Sequence, residues 1–584
     1  MKLDGVGRRY GVRGPWVLRD VQLEVPAGAL LRIEGTNGSG KSTLLRLLAG
    51  IDRPSAGRIT GRPRSAYVPE RFPAALPFTA VDYLTHLGRI HGLTGPEAGR
   101  RGAEWLARFG AAAHARTPLA ELSKGTSQKV AVAQALLAEP EFLVLDEAWT
   151  GLDQGAREVL NRAVAERVAD GGTVVFVDHD PQRLAGAADA RYRVADGRLL
   201  SHEESGPMGD EAPAPGPRVV IEAQGAPGAP LPGEPERTPA GAPRLPGGTQ
   251  VVPRPDGTTR LTVPAVHSDA LLRALLTTRP PWHIRSVTSA GAGPGEGPGD
   301  DAPASAPASA PPPRPRPPRH PRTRPPRGHP GVRAPVRPRG HPGVRIRFPF
   351  RFRFRTRRGP PHVIALLRYQ TALLVRSHRW LPPVILYAAW LAIGVQSGGP
   401  ILVGFGWAAG GLLPVAVWLT RVCVTNEPPA ARNCTVAAAG PGRAHLAAVL
   451  AAVCTAVLLA LLGTALVVLL SDPHSTGHQV AVPVLPAAAA GLLAALACLL
   501  TGTAIGALSN RPVLRSSGWS IPVGMLAALL LLVLGASPAN TAVSGLVTGS
   551  LHGTITTPWL PLAATALLAA AATALACALS SRRS

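Results

Sequence analysis

Three regimes of hydrophobic patterning follow one another along the chain. Through residues 1–200, short apolar runs alternate with mixed helical stretches. Leu30-Leu31-Arg32-Ile33, Phe142-Leu143-Val144-Leu145 and Thr173-Val174-Val175-Phe176-Val177 read as strands buried on both faces. A parallel strand covered by helices shows such a continuous apolar run rather than alternation. Helical runs at 43–48 and 130–137 lie between the strands, and the order predicts an α/β domain over 1–205. Residues 218–289 read as strand, strand, helix, strand and predict a small α+β accessory domain, with no chemistry visible in it. Beyond Leu381, apolar runs near 381–397, 400–420, 445–470, 482–508, 518–536 and 558–579 are almost free of charge. Each approaches the roughly 20 residues that cross a bilayer, and none has the polar face that a soluble helix needs. They predict an all-α, six-helix transmembrane domain over 362–584, opened by an amphipathic lead-in that carries Arg368, Arg376 and Arg379.

Composition adds a fourth region. The chain has 584 residues and a formal net charge of +25, which would suit a nucleic-acid binder. Much of the excess, however, falls in 290–361, a Pro/Arg-rich stretch that cannot bury a core and is expected to be a disordered linker. It repeats Arg-Gly-His-Pro-Gly-Val-Arg at 327–333 and 339–345, then alternates Arg with Phe over 345–358. Three readings stand for this segment: contact with anionic lipid, an RNA-binding tail, or a plain junction between two modules. With the charge beside the first apolar run, membrane lipid is the expected partner and nucleic acid is not. The five cysteines lie in or beside the apolar half without metal-ligand spacing, so small core residues are expected there.

Arginine also orients the apolar runs. Arg376 and Arg379 precede the first; Arg421, Arg432 and Arg443 lie between the second and third; Arg511 and Arg515 lie between the fourth and fifth; Arg582 and Arg583 follow the sixth. The other three loops hold neither Lys nor Arg. Positive charge in alternate loops places those loops on the cytoplasmic side of a cell membrane, with both termini. The opening residues contain no apolar stretch of the signal-peptide kind, so the N-terminal domain is expected in the cytoplasm as well. Trp380, Trp519 and Trp559 fall at the ends of runs, where interfacial aromatics sit.

The first domain carries the chemistry. Gly35-Thr36-Asn37-Gly38-Ser39-Gly40-Lys41-Ser42 fits G-x-x-x-x-G-K-[ST] between a strand run and a helical run that opens at Thr43. Glycines let backbone N–H groups turn inward around phosphates, and the helix N-terminus adds a favourable dipole. Lys41 is placed to reach the outer phosphates and Ser42 to bind Mg²⁺. The run 142–145 ends in Asp146-Glu147, and the run 173–177 ends in Asp178-His179. Ligands bind at the carboxyl ends of such strands. Asp146 is therefore a candidate for holding Mg²⁺, Glu147 for polarising an attacking water, and His179 for placing an imidazole at the same edge.

Between these strands lies Leu122-Ser123-Lys124-Gly125-Thr126-Ser127-Gln128, and beyond Glu147 comes Gly151-Leu152-Asp153. The order of these motifs resembles the ATP-binding cassette (ABC) ATPases, P-loop NTPases whose signature usually reads L-S-G-G-Q. The resemblance covers residues 1–200. It implies binding and hydrolysis of ATP with Mg²⁺, Tyr10 stacking on adenine, and Glu70 in the position of the family's glutamine loop, near the metal. It further implies a homodimer in which Ser123 and Gly125 of one copy contact the γ-phosphate of the ATP held by the other, with Asp153, in the loop after the Asp-Glu pair, also a nucleotide-binding residue. The apolar half is similar, in the number and loop pattern of its runs, to the membrane component of type-2 ABC exporters. Together they imply a fused ATPase–permease exporting a lipophilic or amphiphilic compound or peptide. Glu70, Lys124, Thr126 and the Ala148-Trp149 pair depart from the usual family residues, and the Glu70 and Lys124 variants resemble those of bacterial drug and bacteriocin exporters. The segment 421–443 reads either as the surface on which the ATPase acts or as a solvated connector.

Overall fold

The computed structural model describes residues 1–11, 14–72, 76–184, 186–201, 218–225, 250–254, 257–264, 267–277, 282–290, 363–510 and 517–583. The chain divides into two compact units, one joining Met1–Gly206 to Phe354–Ser584 and the other formed by Pro207–Arg353. Apart from Ala290, the expected linker over 290–361 lies outside the described residues, as do Arg511 and Arg515.

In the first unit the chain begins with β1 (Lys2–Arg9) and β2 (Trp16–Glu24), then β3 (Leu30–Glu34) leading into α1 (Lys41–Leu48). Next come β4 (Ala56–Thr60), β5 (Ser65–Val68), α2 (Ala80–Ile90), α3 (Gly95–Arg108) and α4 (Lys124–Leu136). The series ends with β6 (Phe142–Asp146), α5 (Gln154–Ala169), β7 (Thr173–Val177), β8 (Ala190–Ala195) and β9 (Arg198–Ser201). The main sheet runs β5-β6-β7-β3-β8-β9, parallel except for β9, and an antiparallel sheet runs β2-β1-β4. Every residue of β6 and β7 is buried, as their continuous apolar runs require. Polar side chains start the helices: Thr79, Ser123 and Asp153 accept hydrogen bonds from the N–H groups of Asp82, Thr126 and Ala156.

The second unit holds β10 (Arg218–Gln224), β11 (Gln250–Pro253), β12 (Thr259–Pro264), α6 (Ser268–Thr277) and β13 (His283–Ala290). Its antiparallel sheet runs β11-β12-β10-β13 over Ile221, Leu261, Leu271, Leu275 and Trp282. The edge strand β11 is an addition to the sequence reading. Its four residues end in Pro253, which suits an edge and hides the strand from a pattern search.

The C-terminal part of the first unit is all-α: α7 (Val363–Arg376), α8 (Leu381–Gly394), α9 (Ile401–Thr425), α10 (Pro429–Ala439), α11 (Pro441–Leu470), α12 (Val484–Leu508), α13 (Ser517–Val533), α14 (Pro538–His552) and α15 (Trp559–Arg583). Among the described residues, four helices are long and apolar enough to cross a membrane: α9, α11, α12 and the Trp559–Ser580 stretch of α15. The chain is a membrane protein on these features, but the six expected spans need qualification. The first run forms only the 14 residues of α8, about 21 Å at 1.5 Å per residue and so shorter than the roughly 30 Å hydrocarbon core. The fifth run stops at Val533 and returns through α14, and α13 and α14 qualify only together, bent by 45°. Ser537 caps α14 and Pro538 opens it. Its sequence is too polar to read as a span, yet Ala539, Ala542, Leu546 and Gly549 bury one helical face.

Small residues set the closest helix approaches. A Cβ on Gly502 of α12 would fall 2.3 Å from the Leu413 carbonyl oxygen of α9, and one on Gly506 would fall 2.7 Å from Thr420 Cβ. Without a hydrophobic drive between helices in lipid, such backbone proximity supplies the packing. Gly502→Leu is therefore expected to destabilise the α9–α12 pair by about 1–3 kcal/mol. Gly535→Ala, which meets nothing within 4 Å, should leave the thermal unfolding midpoint in detergent unchanged.

Candidate functional site

The loop between β3 and α1 turns through positive φ at Gly35, Gly38 and Gly40. Space as well as conformation excludes a side chain at Gly35, where a Cβ would lie 2.6 Å from the Val194 carbonyl oxygen. Thr36, Asn37 and Gly38 are exposed at the tip, and among the described residues the buried Ser39 hydroxyl has no hydrogen-bond partner. Lys41 Nζ curls beneath the loop and donates to the carbonyls of Gly35 at 2.7 Å and Thr36 at 3.0 Å. Thr43 Oγ1 lies 3.2 Å from the Tyr10 hydroxyl. Tyr10 is half-exposed, and the Arg8 guanidinium sits over its ring at 4.9 Å. Arg46 and Asp52 also hydrogen-bond the Tyr10 hydroxyl, so the ring is anchored to the start of α1.

The carboxyl ends of the central strands meet this loop. Asp146 is buried at the end of β6 and accepts from Ser42 Oγ at 3.2 Å and from Tyr67 OH at 2.8 Å. Burial pushes its carboxyl above the ordinary carboxylate range, against the pull of the Tyr67 and Ser42 hydrogen bonds. Glu147 follows at φ 51°, a left-handed conformation that costs a non-glycine residue about 1 kcal/mol or more. Its N–H bonds the Val177 carbonyl at 3.1 Å, and its Oε1 lies 2.7 Å from His179 Nε2. The His179 loop is held from below: the buried Arg32 donates to the carbonyls of Asp180, Pro181 and Arg183.

The signature residues have other partners. Ser123 Oγ accepts from the Thr126 N–H at 3.2 Å at the start of α4. A Cβ on Gly125 would approach the Gly151 carbonyl oxygen to 2.9 Å. Lys129 Nζ pairs with Asp153 at 2.6 Å. Glu70 is exposed past β5 and pairs with Arg71 at 3.5 Å; among the described residues it makes no hydrogen bond to Ser42 or Asp146. The structure thus unites Lys41 with its loop, Ser42 with Asp146, and Glu147 with His179, and it leaves Ser123, Gly125, Asp153 and Glu70 outside that group. Arg32, Tyr67 and Lys129 were missed by sequence reasoning. Arg32 alone left a signal there, a charge inside an apolar strand.

Comparison with known proteins decides the family. The model described as "ABC transporter" matches residues 18–150. The zinc import ATP-binding protein ZnuC of Cereibacter sphaeroides is 41% identical over 178 residues, covering 30% of this chain and 70% of that protein. The chain belongs to the ABC transporter family. An aliphatic sulfonates import ATP-binding protein, SsuB of Mycobacterium avium, is 36% identical over 35% of this ABC chain and 80% of its own. A probable export ATP-binding/permease protein of Pseudomonas fluorescens is 32% identical over 34% of each chain. Among solved structures, an ATP-binding subunit of an ABC transporter matches 35% of this chain and 90% of its own at 26% identity, with a TM-score of 0.32. As an ABC ATPase, the N-terminal domain binds and hydrolyses ATP.

The ABC ATPase is joined to the helical region by packed side chains. Tyr369 of α7 stacks on Phe78 with ring centroids 5.7 Å apart, and Arg376 pairs with Asp82 of α2 at 2.7 Å. From β5, Ser65 Oγ donates to the Ala437 carbonyl of α10 at 3.0 Å. Residues 421–443 therefore form a docking surface rather than a solvated connector. Glu427, buried before α10, accepts from Tyr369 OH, Thr435 Oγ1 and Gln370 Nε2 at 3.0, 3.1 and 3.2 Å. Burial holds its carboxyl above its ordinary 4.5, opposed by Arg432 and the three donors. A folded-state pKa that is raised gives stability below the unfolded value and loses it as pH rises through the folded one. Glu427→Gln keeps an acceptor and removes the charge, so it should match or exceed wild type at neutral pH. Its advantage should widen as pH rises above about 4.5. Glu427→Ala strands the three donors and should cost about 1–3 kcal/mol. Thermal unfolding of the detergent-solubilised chain across that pH range checks both, and a pH-independent difference between wild type and Glu427→Gln would count against the raised pKa.

Proposed function

We propose that this chain is a half-transporter that pairs with a second copy and uses ATP to export a lipophilic or amphiphilic compound or peptide. The reading rests first on one observation: α10, between the apolar helices, packs directly on β5 of the ATPase within one compact unit. An ATPase and a membrane region in one chain also accord with the export ATP-binding/permease relative. The zinc and sulfonate relatives carry import names, but they are ATP-binding proteins. The alternation of arginine supports both termini in the cytoplasm of the cell membrane. Domain limits of 1–205, 218–289, 290–361 and 362–584 belong to the same proposal.

In this reading the amides from Gly35 to Thr43, with Lys41, cradle the phosphates, and Tyr10 stacks on adenine. Ser42 and Asp146 present converging oxygens 3.2 Å apart, a donor set that suits Mg²⁺. When bound there, Mg²⁺ neutralises charge on the β- and γ-phosphates. Glu147 orients the attacking water, and His179, hydrogen-bonded to it, holds the γ-phosphate side of the site. Ser123, Gly125 and the Asp153 loop of a second copy close over the γ-phosphate. Glu70 takes the place of the family's metal-proximal glutamine, and it must swing from Arg71 to do so.

ATP hydrolysis by the purified full chain in lipid nanodiscs tests the proposal, with wild type beside Glu147→Gln and a panel of lipophilic compounds and peptides. Removing the general base is expected to lower the rate about 100-fold or more while ATP binding persists. Some compounds should stimulate wild type. Equal rates would remove Glu147 from the chemistry, and a wild-type rate that no compound or peptide changes would sink the export reading.

A further inference from the structure

The edge of the main sheet brings the membrane region within one residue of the metal-binding carboxylate. β5 ends the sheet order and has a single ladder neighbour, β6, with Tyr67 opposite Val144. Its four residues are all buried, and what covers its open side is α10. Two hydrogen bonds join them: Ser65 Oγ to the Ala437 carbonyl at 3.0 Å, and Cys434 Sγ to the Tyr67 carbonyl at 3.5 Å. The Tyr67 carbonyl also accepts from Gln134 Nε2 of α4 at 2.7 Å. Three elements, one of them from the helical region, therefore fix the backbone of Tyr67.

The side chain of the same residue reaches the other way. Its ring is 3% exposed and packs in one cluster with Leu47 and Val144, so it has no room to change rotamer. Its hydroxyl donates to Asp146 Oδ2 at 2.8 Å. Among the described residues, the other carboxylate oxygen, Oδ1, is held by Ser42, whose hydroxyl would serve the cation instead. Among the described residues, Tyr67 is then the remaining side-chain donor that sets the rotation of the Asp146 carboxylate. Second-sphere donors of this kind change metal affinity by about 10–100-fold when removed.

We propose that Tyr67 is the positioning residue through which α10 acts on the ATP site: docking of α10 on β5 sets the Tyr67 backbone, and the Tyr67 hydroxyl sets Asp146 for the metal. This rests on the reading of Asp146 as the metal-binding carboxylate. It assigns the coupling to a backbone–side-chain lever in one residue, separate from the exposed Glu70.

The test uses the full chain in nanodiscs and reads metal binding directly. Affinity for Mn²⁺ in the presence of ATP is measured by electron paramagnetic resonance, and affinity for a fluorescent ATP analogue is measured in EDTA. Tyr67→Phe should weaken Mn²⁺ about tenfold and leave metal-free nucleotide affinity unchanged. Cys434→Leu, which pushes α10 from the Tyr67 carbonyl, should shift Mn²⁺ affinity in the same direction. Cys434→Ser, which keeps a donor, should restore it. Asp146→Asn separates the two readings. If it leaves Mn²⁺ affinity intact, the metal assignment itself falls and the lever with it. If it weakens Mn²⁺ while Tyr67→Phe does not, only the lever is overturned. Parallel loss of metal-free nucleotide binding in Tyr67→Phe would make Tyr67 a packing residue and also overturn the lever.

Discussion

The ATP site is organised around a carboxylate that the fold has taken out of water. Asp146 ends a strand whose five residues are all buried, and an ionised carboxylate in such a place is costly without donors. Both donors come from other elements: Ser42 from the start of α1 and Tyr67 from β5. The requirement fixes neighbours. β5 must flank β6, and the β3–α1 turn must lie near enough for Ser42 to reach it. The sheet order β5-β6-β7-β3 satisfies both. The same order sets the His179 loop beside Glu147, since β7 lies between β6 and β3.

Much of this was legible because the physics that builds the site is local in sequence. The glycines at 35, 38 and 40 mark a turn that needs positive φ, and the helix after it starts at Lys41. Continuous apolar runs mark strands covered on both faces, and their carboxyl ends place Asp146, Glu147 and His179. What could not be read was long-range pairing. Tyr67 is 79 positions from Asp146 and looks like any aromatic in a strand. Lys129 lies on α4, and only the tertiary fold sets it against Asp153. The signature residues belong to the motif by resemblance, and within the chain Ser123 serves as the cap of α4.

The apolar half was legible in kind but not in number. Hydropathy finds charge-free segments, and it does so without regard to how each ends. The first run leaves the helix at Gly394, where Val395 turns extended at φ −104°, and so forms only a short helix. The fifth breaks at the Ser537-Pro538 cap and returns as α14, whose serines and threonines hid it. Its buried face carries alanine and glycine, which weigh little on a hydropathy scale yet allow close packing. α10 was hidden for a related reason. The pattern over 421–443 marks no helix and leaves open an ATPase-facing surface or a solvated connector, yet Ala431, Cys434 and Val436 of α10 are buried against the ATPase.

A coupled ATPase needs one part of its site to stay rigid while another responds. The sheet divides these roles by neighbour count. β6, β7 and β3 each pair on both sides, so moving any of them breaks two ladders. β5 pairs on one side only, and its other side is closed by side-chain hydrogen bonds to α10. Displacing β5 therefore disturbs fewer ladder bonds than displacing any central strand. The other sheet edge, β9, lies across the sheet from β6, so a push there has to pass through β8, β3 and β7 to reach Asp146. Of the two edges, the one sealed by a helix from the membrane region is the one adjacent to the strand that ends in Asp146. Under the proposed lever, docking at β5 lets a movement among apolar helices bias the carboxylate while the phosphate loop, between β3 and α1, stays where its own glycines and Lys41 hold it.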